Sequence, residues 1–105
     1  MKDIEERGLF IGGKFVPSTS EATFPVYNPH NDEVFAIIAE AGEADVNAAV
    51  DAAHEAFDGP WGSLAPKERG KLLLKLARLI QEDGETIARL EAKNTGHPIR
   101  DVRRF

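Results

Sequence analysis

The segment from Gly8 to Lys14 is the first pattern in the sequence that suggests chemistry. It reads G-x-x-x-x-G-K, and phosphate-binding loops of that pattern hold phosphate oxygens with backbone N–H groups and the lysine. Phe15 stands where such loops carry a Ser or Thr that ligates magnesium, and the residues after it are typical of a strand, not of a helix. We therefore expect a hairpin here and no nucleotide site.

A second pattern places Asp51, His54 and Asp58 on one face of a predicted helix. Carboxylate and imidazole groups at that spacing are potential metal ligands. Charged residues on a helix are more often its solvated face, and we favour that interpretation.

The chain contains no cysteine among its 105 residues. Disulfide bonds, thiolate nucleophiles and zinc sites with thiolate ligands are therefore excluded. Composition is that of an ordinary globular chain, with 42% hydrophobic and 30% charged residues, and its size allows one domain with a modest core.

Net charge argues against two classes of partner. The formal charge is -5 and the isoelectric point is near 5.1, whereas binding to nucleic acid or to an anionic membrane needs an excess of basic residues on one face. Only Arg100, Arg103 and Arg104 form a local excess. The first seven residues lack the apolar run of a signal peptide, and no segment has the roughly 20 apolar residues needed to span a bilayer. These features predict a cytoplasmic protein with no nucleic-acid or membrane partner.

The first part of the chain has strand character. We expect a tail over residues 1–8 and about four short antiparallel strands over 9–41, beginning with a hairpin whose turn is Gly12-Gly13. Pro25 restricts the strand from Thr23 to Tyr27 to a sheet edge, and a turn at 28–32 precedes a strand from Val34 to Ala39.

From Glu43 onward the apolar period becomes helical, which predicts three helices over residues 42–97. The first ends at Asp58-Gly59-Pro60, the second begins at Pro66, and the third runs from about Glu85 to Lys93 before Gly96. We expect Trp61 to anchor a loop in the core and the following apolar side chains to point inward: Leu72, Leu73, Leu76, Ile80, Ile87 and Leu90. The predicted fold class is α+β.

Residues 98–105 read as the start of a fourth helix, because Ile99, Val102 and Phe105 recur at intervals of three residues. No helix-ending residue follows. We therefore expect the chain to be the front part of a longer protein.

The order of motifs resembles the amino-terminal region of the NAD(P)-dependent aldehyde dehydrogenases over roughly residues 9–98. The matching residues are the hairpin LFIGGKFV, Tyr27-Asn28-Pro29 with Glu33-Val34, ADVNAAVDAAHEAF from Ala44 to Phe57, Pro60-Trp61, Arg69, Leu72-Leu73, Leu76-Ala77, Ile80, Leu90-Glu91, and TGHP from Thr95 to Pro98. The resemblance implies an incomplete part of an α/β cofactor-binding domain and, for the whole enzyme, oxidation of an aldehyde to a carboxylic acid with NAD or NADP.

The resemblance also implies what the chain lacks. Enzymes of that family use a cysteine thiolate as nucleophile, a glutamate to activate water, and a glycine-rich cofactor loop. The chain has no cysteine and no G-x-G-x-x-G segment after a strand. We expect no catalytic residue, no cofactor-binding residue and no activity from residues 1–105 alone.

One binding site is implied by the same resemblance. In several relatives an alkali cation is held by main-chain oxygens before the Asn-Pro turn and by an acidic side chain near the end of the third helix. The matching positions are Val26, Tyr27 and Asn94. Asn94 is neutral where the family pattern is acidic, so it lacks the charge attraction of a carboxylate, and capping of the helix end is the alternative role.

Two functions remain open on sequence grounds. The chain is either the amino-terminal segment of an aldehyde dehydrogenase, packed on the remainder of its subunit in a homo-oligomer, or a self-standing noncatalytic interaction module from a truncated gene. In either case an apolar face without its partner favours self-association.

Overall fold

A computed structural model describes residues 4–103, which fall into two compact units. The described part of the first unit comprises residues 4–26 and 34–63, and that of the second comprises 27–33 and 64–103. The sequence predictions for Met1, Lys2, Asp3, Arg104 and Phe105 lie outside the described residues. The α+β fold class is confirmed.

The described residues form short strands followed by helices. The strands are β1 (Glu5–Arg7), β2 (Leu9–Ile11), β3 (Lys14–Val16), β4 (Thr23–Asn28) and β5 (Glu33–Ala39). The helices are α1 (Glu43–Asp58), α2 (Pro60–Ser63), α3 (Pro66–Glu82), α4 (Gly84–Thr95) and α5 (Ile99–Val102).

The predicted hairpin is present as the antiparallel pair β2–β3, in which Phe10 lies opposite Phe15. Gly12 and Gly13 have φ angles of 64° and 83°, so both turn residues adopt the left-handed conformation that glycine tolerates without strain. The two phenylalanine rings contact each other, with centroids 5.0 Å apart. Local turn chemistry therefore fixes this element.

The second sheet has the strand order β1-β5-β4, with β4 at the edge, as Pro25 predicted. The predicted tail over residues 1–8 is wrong at Glu5–Arg7, which pair in parallel with β5. The antiparallel prediction concerned residues 9–41 only, and the parallel pairing of β1 was not predicted. All three β1 residues are exposed, so the strand forms through backbone pairing and leaves no apolar pattern in the sequence.

The helix prediction holds for α1, α3 and α4, and α5 lies where the start of a further helix was predicted. The sequence analysis missed the short helix α2 (Pro60–Ser63). Its single turn closes with a hydrogen bond from the Ser63 N–H to the Gly59 carbonyl at 2.9 Å. α3 begins with Pro66 as predicted, and α4 ends before Gly96, whose φ angle is 80°.

The start of α1 depends on the carboxylate of Asp45, which is only 5% exposed. It accepts hydrogen bonds from the backbone N–H groups of Gly42, at 2.9 Å, and of Thr19, at 3.0 Å. The first bond caps the helix and the second attaches the loop after β3 to it. Sequence analysis did not identify this role of Asp45.

Few apolar side chains are buried in the described residues, among which Ala88 is the only apolar residue that is buried. The predicted inward orientation of the helix side chains is wrong in this respect: Leu73 is 58% exposed and Leu76 is 52% exposed. Trp61 is also exposed and does not reach a core. These apolar residues do recur with the spacing of a helix, as predicted, but within residues 4–103 their side chains stay exposed.

Replacing Asp45 tests the role of its carboxylate. Asp45→Ala removes the acceptor of the Gly42 and Thr19 N–H groups, so we expect the free energy of unfolding to fall by about 1–2 kcal/mol. Urea unfolding followed by circular dichroism measures it. Glu43→Ala is the matched control, since Glu43 lies in the same helical turn and is exposed, and we expect a change within about 0.5 kcal/mol. Equal effects of the two substitutions would contradict the assignment.

Candidate functional site

The segment with the phosphate-loop pattern forms part of the β2–β3 hairpin. Lys14 begins a strand, so no helix N-terminus follows the glycines and their N–H groups gain no helix dipole. Gly8 has a packing role, because a Cβ atom at this position would lie 2.6 Å from the carbonyl oxygen of Val16. The structure therefore confirms the hairpin prediction.

Asp51, His54 and Asp58 lie on α1 with exposed side chains, as expected for a solvated helix face. Within residues 4–103 no group of three His, Cys, Asp or Glu side chains is arranged to hold a metal ion.

The predicted cation ligands lie on two elements. Val26 and Tyr27 belong to β4, and Asn94 lies in the last turn of α4. Only Tyr27 and Asn94 belong to the same compact unit. In that unit the Asn-Pro turn is held by Asn28, whose side-chain oxygen accepts a hydrogen bond from the His30 N–H at 2.9 Å.

The end of α4 lies against this turn, since a Cβ atom at Gly96 would be 3.0 Å from Cγ of Pro29. Glycine is required here both for its positive φ angle and for this close approach. Asn94 itself is exposed. A solvated neutral amide is a weak ligand for an alkali cation, so the donor set fits such an ion poorly and cation binding at Val26, Tyr27 and Asn94 stays a prediction.

An apolar concave surface in the first unit lies between the hairpin and α1, and we call it the α1 groove. Its volume is about 380 Å³, and apolar side chains form most of the lining: Leu9, Phe10, Ile11, Ala41, Val46, Ala49, Val50 and Ala53. A second concavity of about 410 Å³ shares Val50 and Ala53 and extends to Phe57. The two together form an apolar track along the helix.

The α1 groove is lined by apolar side chains apart from Asp45, and the second concavity adds His54. Val46 and Val50 are about half exposed, and Phe57 is 72% exposed. The buried carboxylate of Asp45 at one end is already engaged by two N–H groups. A contiguous exposed apolar surface is typical of a site that another protein surface covers.

A charged cluster joins α4 to the residue that follows α5. The guanidinium of Arg103 donates to both carboxylate oxygens of Glu85, through Nε at 3.0 Å and through Nη2. Arg89 adds an ion pair with Glu85 at 3.2 Å. The hydrogen bonds from Arg103 lower the pKa of the Glu85 carboxyl, while partial desolvation opposes the shift and the charges of both arginines reinforce it. Glu85 and Arg103 are 18 residues apart, so no sequence period indicated this contact.

The cluster predicts a defined pH dependence. A carboxyl whose pKa is lowered by folding contributes stability above its unfolded pKa of about 4.3, and the contribution is lost as pH falls through the folded value. In Arg103→Gln we expect the pKa of Glu85 to rise toward the ordinary value, as measured by carboxyl ¹³C NMR during a pH titration. Arg100→Gln, which removes a neighbouring exposed guanidinium, should leave that pKa unchanged. An unaltered Glu85 titration in Arg103→Gln would rule out the contact.

None of the helices in residues 4–103 is long and apolar enough to cross a bilayer.

Comparison with known proteins identifies the family. The model of the aldehyde dehydrogenase family matches residues 15–104. Aldehyde dehydrogenase 1 of Tanacetum cinerariifolium is 49% identical over 102 residues, which cover 96% of this chain and 20% of that protein. An aldehyde dehydrogenase of Emericella nidulans is 46% identical over 85% of this chain and 18% of its own length.

Solved structures agree with the sequence comparison. The NAD⁺ complex of the Bacillus cereus aldehyde dehydrogenase superposes with a TM-score of 0.89 at 45% identity, covering 91% of this chain and 20% of that one. The NAD-dependent aldehyde dehydrogenase of Sinorhizobium meliloti gives a TM-score of 0.92 at 35% identity, covering 97% and 21%. The chain thus spans about one fifth of the length of these relatives, and it belongs to the aldehyde dehydrogenase family.

Proposed function

We propose that these 105 residues are the amino-terminal segment of an NAD(P)-dependent aldehyde dehydrogenase, and that they serve as structural scaffold without catalytic groups. The observation that carries the proposal is the combination of a family match along nearly the whole chain with exposed apolar faces on α1 and α3. In the whole enzyme these faces pack on the remainder of the subunit.

The residue inventory supports a noncatalytic role. Aldehyde oxidation through a thioester requires a thiolate that attacks the carbonyl carbon and later leaves, and the chain has no cysteine. NAD or NADP, bound by other parts of the enzyme, accepts the hydride in that reaction. The contribution of this segment is to position and cover those parts.

The same proposal includes the assembly, the location and the partners of the whole protein. The subunits form a homo-oligomer, the protein is cytoplasmic, and no nucleic acid or membrane is a partner. The excess of acidic residues, with a net charge of -5, supports the last attribute.

A second candidate is a self-standing interaction module that uses the same apolar faces without an enzyme. The exposure of Val50, Leu73 and Leu76 favours it equally, because any complementary apolar surface would stabilise them. The two candidates differ in what the segment does when it is joined to the rest of an enzyme.

The isolated chain provides the first test. NADH or NADPH formation with a panel of aliphatic and aromatic aldehydes should stay at the background of an assay without protein. The Bacillus cereus enzyme, assayed in parallel, shows that the panel detects activity. Sustained turnover by the 105 residues alone would refute the noncatalytic role.

A chimera provides the second test. We replace the matching first fifth of the Bacillus cereus enzyme by this chain and expect NAD-dependent aldehyde oxidation within about tenfold of the parent value, since the two segments superpose with a TM-score of 0.89 at 45% identity. Val50→Asp, which puts a carboxylate in the α1 groove, should abolish activity or solubility. Asn47→Asp, on the same helix but outside the groove lining, should not. An inactive, aggregated parent chimera would favour the separate module.

A further inference from the structure

Arg69 is the one lysine or arginine in residues 4–103 that is not exposed. The other basic residues of the same helix, Lys67, Lys71, Lys75 and Arg78, are all exposed. A guanidinium keeps its charge at any pH at which proteins stay folded, so its partial burial carries a desolvation cost that contacts must offset. The contacts of Arg69 therefore show what this charge requires.

Arg69 lies on the apolar face of α3. A helix has 3.6 residues per turn, which places position 69 within about 60° around the helix axis of Leu72, Leu73, Leu76 and Ile80. These four side chains are about half exposed in the described chain. They belong to the face that the remainder of the subunit covers in the proposed function. A surface that covers this apolar face also covers Arg69.

The contacts of Arg69 within its own unit occupy only part of the guanidinium. Nη1 donates to the carbonyl oxygen of Leu64 at 2.5 Å, which uses one of the five N–H donors of an arginine. The adjacent carboxylate, Glu68, pairs instead with Lys71 at 3.3 Å. Among residues 4–103 no carboxylate forms an ion pair with Arg69. The positive charge is therefore not neutralised within the described chain.

We propose that Arg69 binds a carboxylate that the remainder of the subunit presents to the apolar face of α3. The inference rests on the proposed function and gives the covering surface a stated chemistry: apolar along the helix, with one Asp or Glu side chain at the end where α3 begins. Covering the face without an acceptor would bury an unpaired cation, which is strongly destabilising.

The free part of the guanidinium suits a carboxylate. With Nη1 bound to Leu64, Nε and Nη2 remain available on one edge. Arg103 uses these two atoms to bind both carboxylate oxygens of Glu85, so the same chain already contains this arrangement. A carboxylate is a better acceptor here than a carbonyl group, because it neutralises the charge and accepts two parallel N–H bonds.

The chimera with the Bacillus cereus enzyme provides the test, because it contains both surfaces. Arg69→Gln should shorten the half-life of NAD-dependent activity at a fixed elevated temperature at least about tenfold, since the partner carboxylate is then left unpaired. Arg78→Gln is the matched control. Arg78 is exposed and lies nine residues further along α3, two and a half turns away and so on the opposite side of the helix, and the half-life should stay within about twofold.

A crystal structure of the unsubstituted chimera identifies the acceptor and needs no variant to fold. We expect an Asp or Glu side chain of the enzyme portion within about 3 Å of Nε or Nη2 of Arg69. The carboxylate found there is then changed to the corresponding amide, alone and together with Arg69→Gln. The double variant should be no less stable than either single variant, because the second change removes a charge that is already unpaired. Additive losses would instead indicate that Arg69 only holds the carbonyl group of Leu64.

Three results would overturn the inference: a half-life in Arg69→Gln that matches the control, additive losses in the double variant, or a guanidinium that meets only carbonyl oxygens or solvent in the chimera. Failure of the proposed function is a different result. An inactive, aggregated chimera without substitutions refutes the proposed function and the inference together, whereas an active chimera that tolerates Arg69→Gln refutes the inference alone.

Discussion

Covering of apolar helix faces is the constraint on which this structure depends. An amphipathic helix in a protein derives most of its stability from packing of its apolar face, since short helices are marginal by propensity alone. α1 and α3 have regular apolar rows, yet the side chains of those rows are about half exposed in the described chain. The apolar rows of α1 and α3 therefore explain why the sequence predicts these helices. Their exposure also means that another surface must cover them if they are to stabilise the fold.

Local polar contacts specify the ends of elements where burial is small. Asp45 caps α1 and attaches the preceding loop, Gly12 and Gly13 form the hairpin turn, and Gly96 ends α4 in the left-handed conformation. Each contact acts over a few atoms and needs no core. Local contacts of this kind define where helices and strands begin and end even though the apolar faces of the segment are exposed.

The features that sequence analysis found are those encoded within a few residues. The hairpin at Gly12-Gly13, the start of α3 at Pro66 and the end of α4 at Gly96 follow from backbone conformations that these residues favour, and all three were predicted. Contacts between residues far apart in the sequence were not predicted, because no periodic spacing of residues indicates them. The parallel pairing of β1, the bond between Asp45 and Thr19 and the contact of Glu85 with Arg103 belong to this class. Family resemblance provided the identity of the candidate cation ligands, and the exposed amide of Asn94 weakens that site in a way that only the structure shows.

The parallel pairing of β1 with β5 has a consequence for the order in which the chain is assembled. Glu5 pairs with Ala36, so β1 is synthesised about 30 residues before its partner strand. At a translation rate of about 5–20 residues per second, β1 leaves the ribosome seconds before β5 can pair with it. The β2–β3 hairpin, whose strands are separated by two residues, closes within microseconds of emerging. The hairpin therefore forms first. β1 pairs later, with a strand that follows the hairpin in the sequence.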